Sequence, residues 1–303
     1  MERVIQRLKR IVLTPLLAAS ALAGISLVVH YAEQKEMRLM SIVVDAAAGE
    51  FSQWLRDSSQ MVKTLSELPV FKNGSIEEIS KRLNELGVAM PDEVEKLIYI
   101  NKDGVGYYNT GEIFDLSDRA YFRAAMVDKS ADFIVTNPFE ARSTGNLIVA
   151  FVHAIKDDAN ATKALVFASA NVKKLTDKTR LSALDGDAKS VLIGNAGRLF
   201  VYEDETAERK LIARNSPDRG FAGLGDRRDL IISANTSGRV FYKDERDRDR
   251  ILFFSPVAGS PDWTYGVSLD KDFFDADRNT LLAALIAIAL FSFFAALSIK
   301  RRN

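Results

Sequence analysis

Two imidazoles, His30 and His153, occur in 303 residues, and cysteine is absent. This removes thiol catalysis, disulfides and cysteine-ligated metal, and leaves too few histidines for an imidazole zinc site. A serine–histidine–acid triad would have to use His153. That residue sits on an alternating strand pattern, which suits a core or edge histidine, with pH sensing as the alternative. Asp and Glu number 41, against 41 Lys and Arg, so composition leaves a two-carboxylate hydrolase open. No nucleophile elbow, metal-ligand helix or phosphate-cradling glycine loop appears beside the acids, so no catalytic residue, metal or cofactor is expected. The balanced charge leaves no electrostatic footprint for nucleic acid.

The elements around these residues begin with two apolar runs, Ile11 to Ala32 and Asn279 to Ile299. Each has the length of about 20 residues that a membrane span needs. Basic residues flank them, Arg3, Arg7, Lys9 and Arg10 before the first and Lys300, Arg301 and Arg302 after the second. The positive-inside rule then puts both ends in the cytoplasm and exports Glu33 to Arg278 across the membrane. The first run also has the basic start and Ala21-Leu22-Ala23 of a cleavable signal, but continues too far for one; a cleaved product would still be held by the second run. Pro15 is expected one turn inside its helix, where a missing N–H matters least.

The expected divisions are a cytoplasmic N-terminus (1–10), a first span (11–32) and a long extracytoplasmic helix (33–69). A membrane-distal module (70–170), a membrane-proximal module (171–278), a second span (279–299) and a cytoplasmic C-terminus (300–303) follow. Apolar residues from Met37 to Leu65 recur mostly every three or four positions, with a break near Gly49, so residues 11 to 68 would form a rod of about 85 Å. Its stripe meets either a second copy, giving a homodimer, or its own domain. Ser75-Ile76-Glu77-Glu78 is a capping box opening a helix that stops at Gly87. Strands are expected at Glu95 to Asn101 and Val105 to Asn109 around the turn Lys102-Asp103-Gly104, then a short helix capped by Ser117 or Asp115. Phe133 to Thr136, Asn146 to Lys156 and Lys163 to Ala170 read as further strands. A polar helical stretch to Leu184 leads to a second hairpin, Ser190 to Ile193 and Arg198 to Glu203 around Asn195-Ala196-Gly197. Arg239 to Lys243, Arg250 to Ala258 and Trp263 to Leu269 complete a second sheet. The fold class is α+β, a long N-terminal helix with two stacked antiparallel-sheet modules between two transmembrane helices.

Asp118-Arg119-Ala120-Tyr121-Phe122, set at a helix start after a hairpin, resembles the signature of double Cache sensor domains. These are the PAS-like extracytoplasmic domains of bacterial chemoreceptors, histidine kinases and diguanylate cyclases. Thr136-Asn137-Pro138, the strand Leu147 to Ile155, and Phe254-Ser255-Pro256-Val257 with Asp262-Trp263-Thr264-Tyr265-Gly266-Val267 agree in order, so the resemblance covers the exported region. It implies a ligand in the distal module. The positions used by the amino-acid-binding branch map to Phe114, Arg119, Tyr121 and Phe122, with an aspartate expected near Ser169. Asp118 and Phe133 complete the candidate contacts.

A phenylalanine and a serine stand where that branch has a tyrosine and its aspartate, so no carboxylate awaits a ligand ammonium. An α-amino acid is therefore not expected. An arginine with an aromatic wall suits a small carboxylate, since guanidinium matches a carboxylate bidentately and Tyr121 adds a hydroxyl donor. The plainer alternative pairs Arg119 with Asp115 or Asp118 to pin the helix cap. As a sensor, the chain would pass its signal to an output protein such as a histidine kinase, chemoreceptor or diguanylate cyclase, because it ends at Asn303 without an output module. It would then be either a truncated receptor or a sensor subunit. The alternative function is a non-sensing scaffold of a membrane complex.

Overall fold

The computed structural model describes residues 2–172, 174, 188–194, 199–202, 224, 235–244, 246–274, 282–283 and 285–287. One helix, α1 (Glu2–Ser66), runs unbroken for 65 residues, about 98 Å at 1.5 Å per residue. It passes through Gly49, where the apolar spacing suggested a break. It also begins at Glu2, early enough to leave Pro15 several turns inside rather than one. Among the described residues no helix is long and apolar enough to cross a membrane. Half of the side chains of the first apolar run, and most of the second run, lie outside the described residues.

Two short helices follow, α2 (Pro69–Asn73) and α3 (Ile76–Val88). The Ser75 side chain accepts from the Glu78 N–H while the Glu78 carboxylate accepts from the Ser75 N–H, the reciprocal pair read from sequence. The helix passes through Gly87 and ends at Val88.

The first sheet is drawn from residues 94–171: β1 (Val94–Asn101), β2 (Val105–Tyr108), β3 (Ile113–Asp115), β4 (Phe133–Val135), β5 (Phe139–Glu140), β6 (Leu147–Lys156) and β7 (Thr162–Asn171). Its order is β3-β2-β1-β7-β6-β4, with β5 also on β6. The second sheet contains β8 (Lys189–Ile193), β9 (Leu199–Tyr202), β10 (Gly238–Lys243), β11 (Asp249–Val257) and β12 (Trp263–Asp270), ordered β10-β11-β12-β8-β9. Both sheets place the first strand beside the last, so one connectivity occurs twice. The turn Asn195-Ala196-Gly197 and nearly all of the helical stretch expected after Val172 lie outside the described residues.

Strand alternation gives the first sheet two buried faces. Leu97, Tyr99, Val149, Phe151 and Val166 face α1, while Ile98, Ile100, Ala150, Leu165 and Phe167 face a separate apolar cluster with Leu116, Tyr121 and Phe122. The stripe of α1, including Met37, Val44, Phe51, Leu55 and Val62, packs on its own chain. The cluster it belongs to continues into Ile251, Phe253, Trp263 and Val267 of the second sheet.

Candidate functional site

The site is built on the hairpin β1–β2. Asn101 Oδ1 accepts from the N–H groups of Asp103 and Val105, and Gly104 closes the turn at φ 85°. The Gly104 carbonyl accepts from Leu116 N at 2.8 Å, which holds the segment after β3 against the turn. Asp115 Oδ1 accepts from Ser117 N at 2.9 Å, making a local turn. The short helix then starts later than expected: α4 (Ala120–Phe122) has Arg119 at its N-cap, so neither Ser117 nor Asp115 caps it. A single π-helical turn, Arg123–Val127, continues it.

This places Arg119 at the wall of a cleft of about 280 Å³, including its open mouth. Its guanidinium lies over the Phe139 ring at 5.3 Å, and Nη2 reaches the Glu140 carbonyl at 3.5 Å. Arg119 Nε is buried with no hydrogen-bond partner. Among the described residues no carboxylate pairs with Arg119. The cap pair weighed for it belongs instead to Arg142, which donates to the Asp118 carboxylate and to the Asp115 carbonyl. Arg142 lies on the turn after β5 and reaches the start of α4 from the opposite side of the cleft.

Tyr121 is 6% exposed, with its ring 5.2 Å from Phe167 and 5.9 Å from Phe139. Burial pushes its phenol well above the ordinary range, so it stays a neutral donor. Its hydroxyl has no partner among the described residues. Burial also raises the Tyr108 phenol, against the opposing charges of Arg119 and Arg142. At the floor, Ser169 lies opposite Lys96 in the β1–β7 register; its Oγ accepts from Lys96 N at 3.1 Å and contacts Lys96 O at 3.4 Å. Lys96 Nζ donates to Thr110 Oγ1 at 2.6 Å and to Glu112 at 3.2 Å.

Of the candidate contacts, Arg119, Tyr121 and Ser169 share the cleft lining. Asp118 sits behind it, held by Arg142. Phe114 packs edge-on against Tyr108 at 5.3 Å, and Phe122 is buried in the same apolar cluster; neither lines the cleft. Phe133 lies apart from this group, because alternation on β4 turns it to the α1 face, 6.1 Å from the His153 ring. His153 Nδ1 is 3.0 Å from Ser66 Oγ and from its neighbour's carbonyl, Ala154 O. Sequence reasoning passed over Lys96, Tyr108, Phe139 and Arg142 as members of the site. The charged side chains of the lining are Lys96, Arg119 and Arg142, all cationic.

No protein-family model and no curated protein matches the chain. Its fold matches solved structures at low identity. One is the ligand-binding domain of the Pseudomonas aeruginosa PAO1 amino acid chemoreceptor PctB, in complex with L-Arg: TM-score 0.61, 17% identity, covering 78% of this chain and 95% of that one. A second is the ligand-binding domain of the Pseudomonas fluorescens chemoreceptor CtaA, in complex with L-serine: TM-score 0.62, 19% identity, covering 79% and 99%. A third is the extracellular domain of rpHK1S-Z16, named as a histidine kinase: TM-score 0.59, 17% identity, covering 79% and 95%. The chain shares the fold of these chemoreceptor ligand-binding domains and of the histidine kinase extracellular domain, as the resemblance to double Cache domains implied.

Proposed function

We propose that this chain is a membrane-anchored extracytoplasmic sensor that binds a small organic anion at Arg119 and passes the signal to a cytoplasmic output protein. The observation that carries the reading is the state of Arg119: a guanidinium with a buried, unpartnered Nε, no carboxylate partner among the described residues, and a cleft whose charged lining groups are all cations. A buried polar group left unsatisfied costs free energy, and a carboxylate entering the cleft would recover it. The Tyr121 hydroxyl adds a neutral donor beside it. Neighbours that bind amino acids share the fold, but the cationic cleft does not favour an α-ammonium.

The two apolar runs supply the anchor, with both termini cytoplasmic and Glu33 to Arg278 exported. The output belongs to the kinds that accompany such domains, a histidine kinase, chemoreceptor or diguanylate cyclase. The scaffold alternative gives an unpaired cation in a cleft no role, and one measurement separates the two. The detergent-solubilised full chain is screened by thermal shift against short organic acids. Stabilisation that Arg119→Ala removes is expected. Stabilisation unchanged by Arg119→Ala, or none from any organic acid, sinks the reading.

A further inference from the structure

We propose that the ligand is a dicarboxylate held at two points, one carboxylate on Arg119 and the other on Lys96. This rests on the reading of the cleft as a carboxylate site and names its ligand class. Arg119 enters at the start of α4, whereas Lys96 enters from β1 at the floor, beside Ser169. Two separate elements therefore each present a cation to one small space. The Lys96 side chain is 12% exposed, while its partner Glu112 is 41% exposed and lies outside the lining. An ammonium has three donors. Two go to Thr110 and Glu112, which leaves a third donor without a partner among the described residues. Arg142, by contrast, is tied to the segment before α4 by two bonds, to Asp115 and Asp118.

The physical consequence is a selection between ligands that share one carboxylate. With one carboxylate on Arg119, the far end of a short ligand meets a largely enclosed ammonium. A second carboxylate gains a charge-assisted hydrogen bond there, a methyl group gains none, and a ligand ammonium meets a like charge.

The test uses the detergent-solubilised full chain with calorimetry and thermal shift. Malonate, succinate and glutarate are compared with butyrate, in which a methyl replaces one carboxylate of succinate, and with β-alanine, in which an ammonium does. The best dicarboxylate is expected to bind about tenfold or more tighter than butyrate, from one charge-assisted hydrogen bond, and β-alanine weakest. Lys96→Met is expected to collapse the dicarboxylate-to-butyrate ratio. Butyrate that binds as well as every dicarboxylate overturns the two-point inference, and so does a ratio that survives Lys96→Met. If butyrate binding still needs Arg119 in those cases, the carboxylate reading stands without it. The ratio in the unmodified chain decides the matter even if Lys96→Met fails to fold. Absence of binding by any carboxylate overturns both.

Discussion

Arg119 is a cation whose neighbouring acids are taken, Asp118 by Arg142 and Asp115 by the Ser117 N–H. Removing its charge should therefore cost little stability. Arg119→Met keeps an apolar stem over Phe139 and is expected to leave the melting temperature unchanged or slightly higher while abolishing stabilisation by organic acids. A drop of several degrees would show that the charge is structural. Gly104 is the opposite case. At φ 85° a side chain is strained, and an added Cβ would lie 2.5 to 2.9 Å from Ser117, including its backbone nitrogen and Cα. Gly104→Ala should destabilise by about 2–4 kcal/mol, the sum of a left-handed penalty and overpacking, measurable by denaturant unfolding. At this scale the sequence was half informative. Asp118 to Phe122 could be found as a motif, but which acid serves which arginine depends on Arg142, 24 residues away on another strand connection. Lys96 carried a legible signal that went unread: period-two alternation puts it on the same face as Ile98 and Ile100, so a cation was pointing toward the apolar cluster side of the sheet.

Elements were easier to read than contacts, because caps and periodicity are local. The start of α3 follows directly from Ser75 and Glu78, and its loss can be predicted. Ser75→Ala should cost about 1 kcal/mol by equilibrium unfolding. The Ser75 backbone N–H, and then its hydroxyl, hold the Glu78 carboxyl below its ordinary value of 4.5. A carboxyl lowered in the folded state gives stability that is complete above its unfolded value and is lost as pH falls through the folded one. Glu78→Gln should therefore flatten the stability profile below pH 4.5, where the unmodified chain weakens, and leave the slope above pH 6 unaltered. The short strand β3 and helix α2 escaped notice because three and five residues are too few for a period to show. The long helix was legible, but the partner of its stripe was not, since a stripe does not say what covers it. The structure gives that stripe to the chain's own sheets and leaves Leu39, Ile42 and Val43 exposed on another side, at i, i+3 and i+4. A homodimer would therefore have to use this second stripe. Ile42→Glu should convert a dimer to a monomer in light scattering of the solubilised chain, and an unchanged mass would remove α1 as the interface.

At the scale of the whole molecule both sheets set their first described strand beside their last, and besides a separate apolar cluster on one face of each they share a third. A single apolar cluster runs from Leu97 and Phe151 of the first sheet, across Phe51 and Leu55 of α1, to Phe253 and Trp263 of the second. Polar contacts close the same junction: Trp263 Nε1 donates to Asn137 Oδ1 at 2.9 Å, and Ala258 N donates to Ser52 Oγ at 2.9 Å. Asn137 stands two residues before Phe139, the ring beneath Arg119, so the cleft lining and the second sheet are joined by a short piece of chain. Elements that share a core in this way should unfold together. The chain's two tryptophans allow a direct check, because Trp54 and Trp263 both contact Phe51, at 5.5 and 6.1 Å, and lie at the junction. Tryptophan fluorescence therefore reports the junction, whereas far-ultraviolet dichroism reports helices and sheets throughout. The two probes are expected to give one denaturant midpoint. Asn137→Ala should lower that midpoint by the equivalent of about 1 kcal/mol, because the Trp263 N–H loses its acceptor, while keeping the probes coincident through the shared apolar contacts. A fluorescence midpoint well below the dichroism midpoint in the unmodified chain would mean that the sheets fold independently. Movement at the cleft would then have to reach α1 through the first sheet alone.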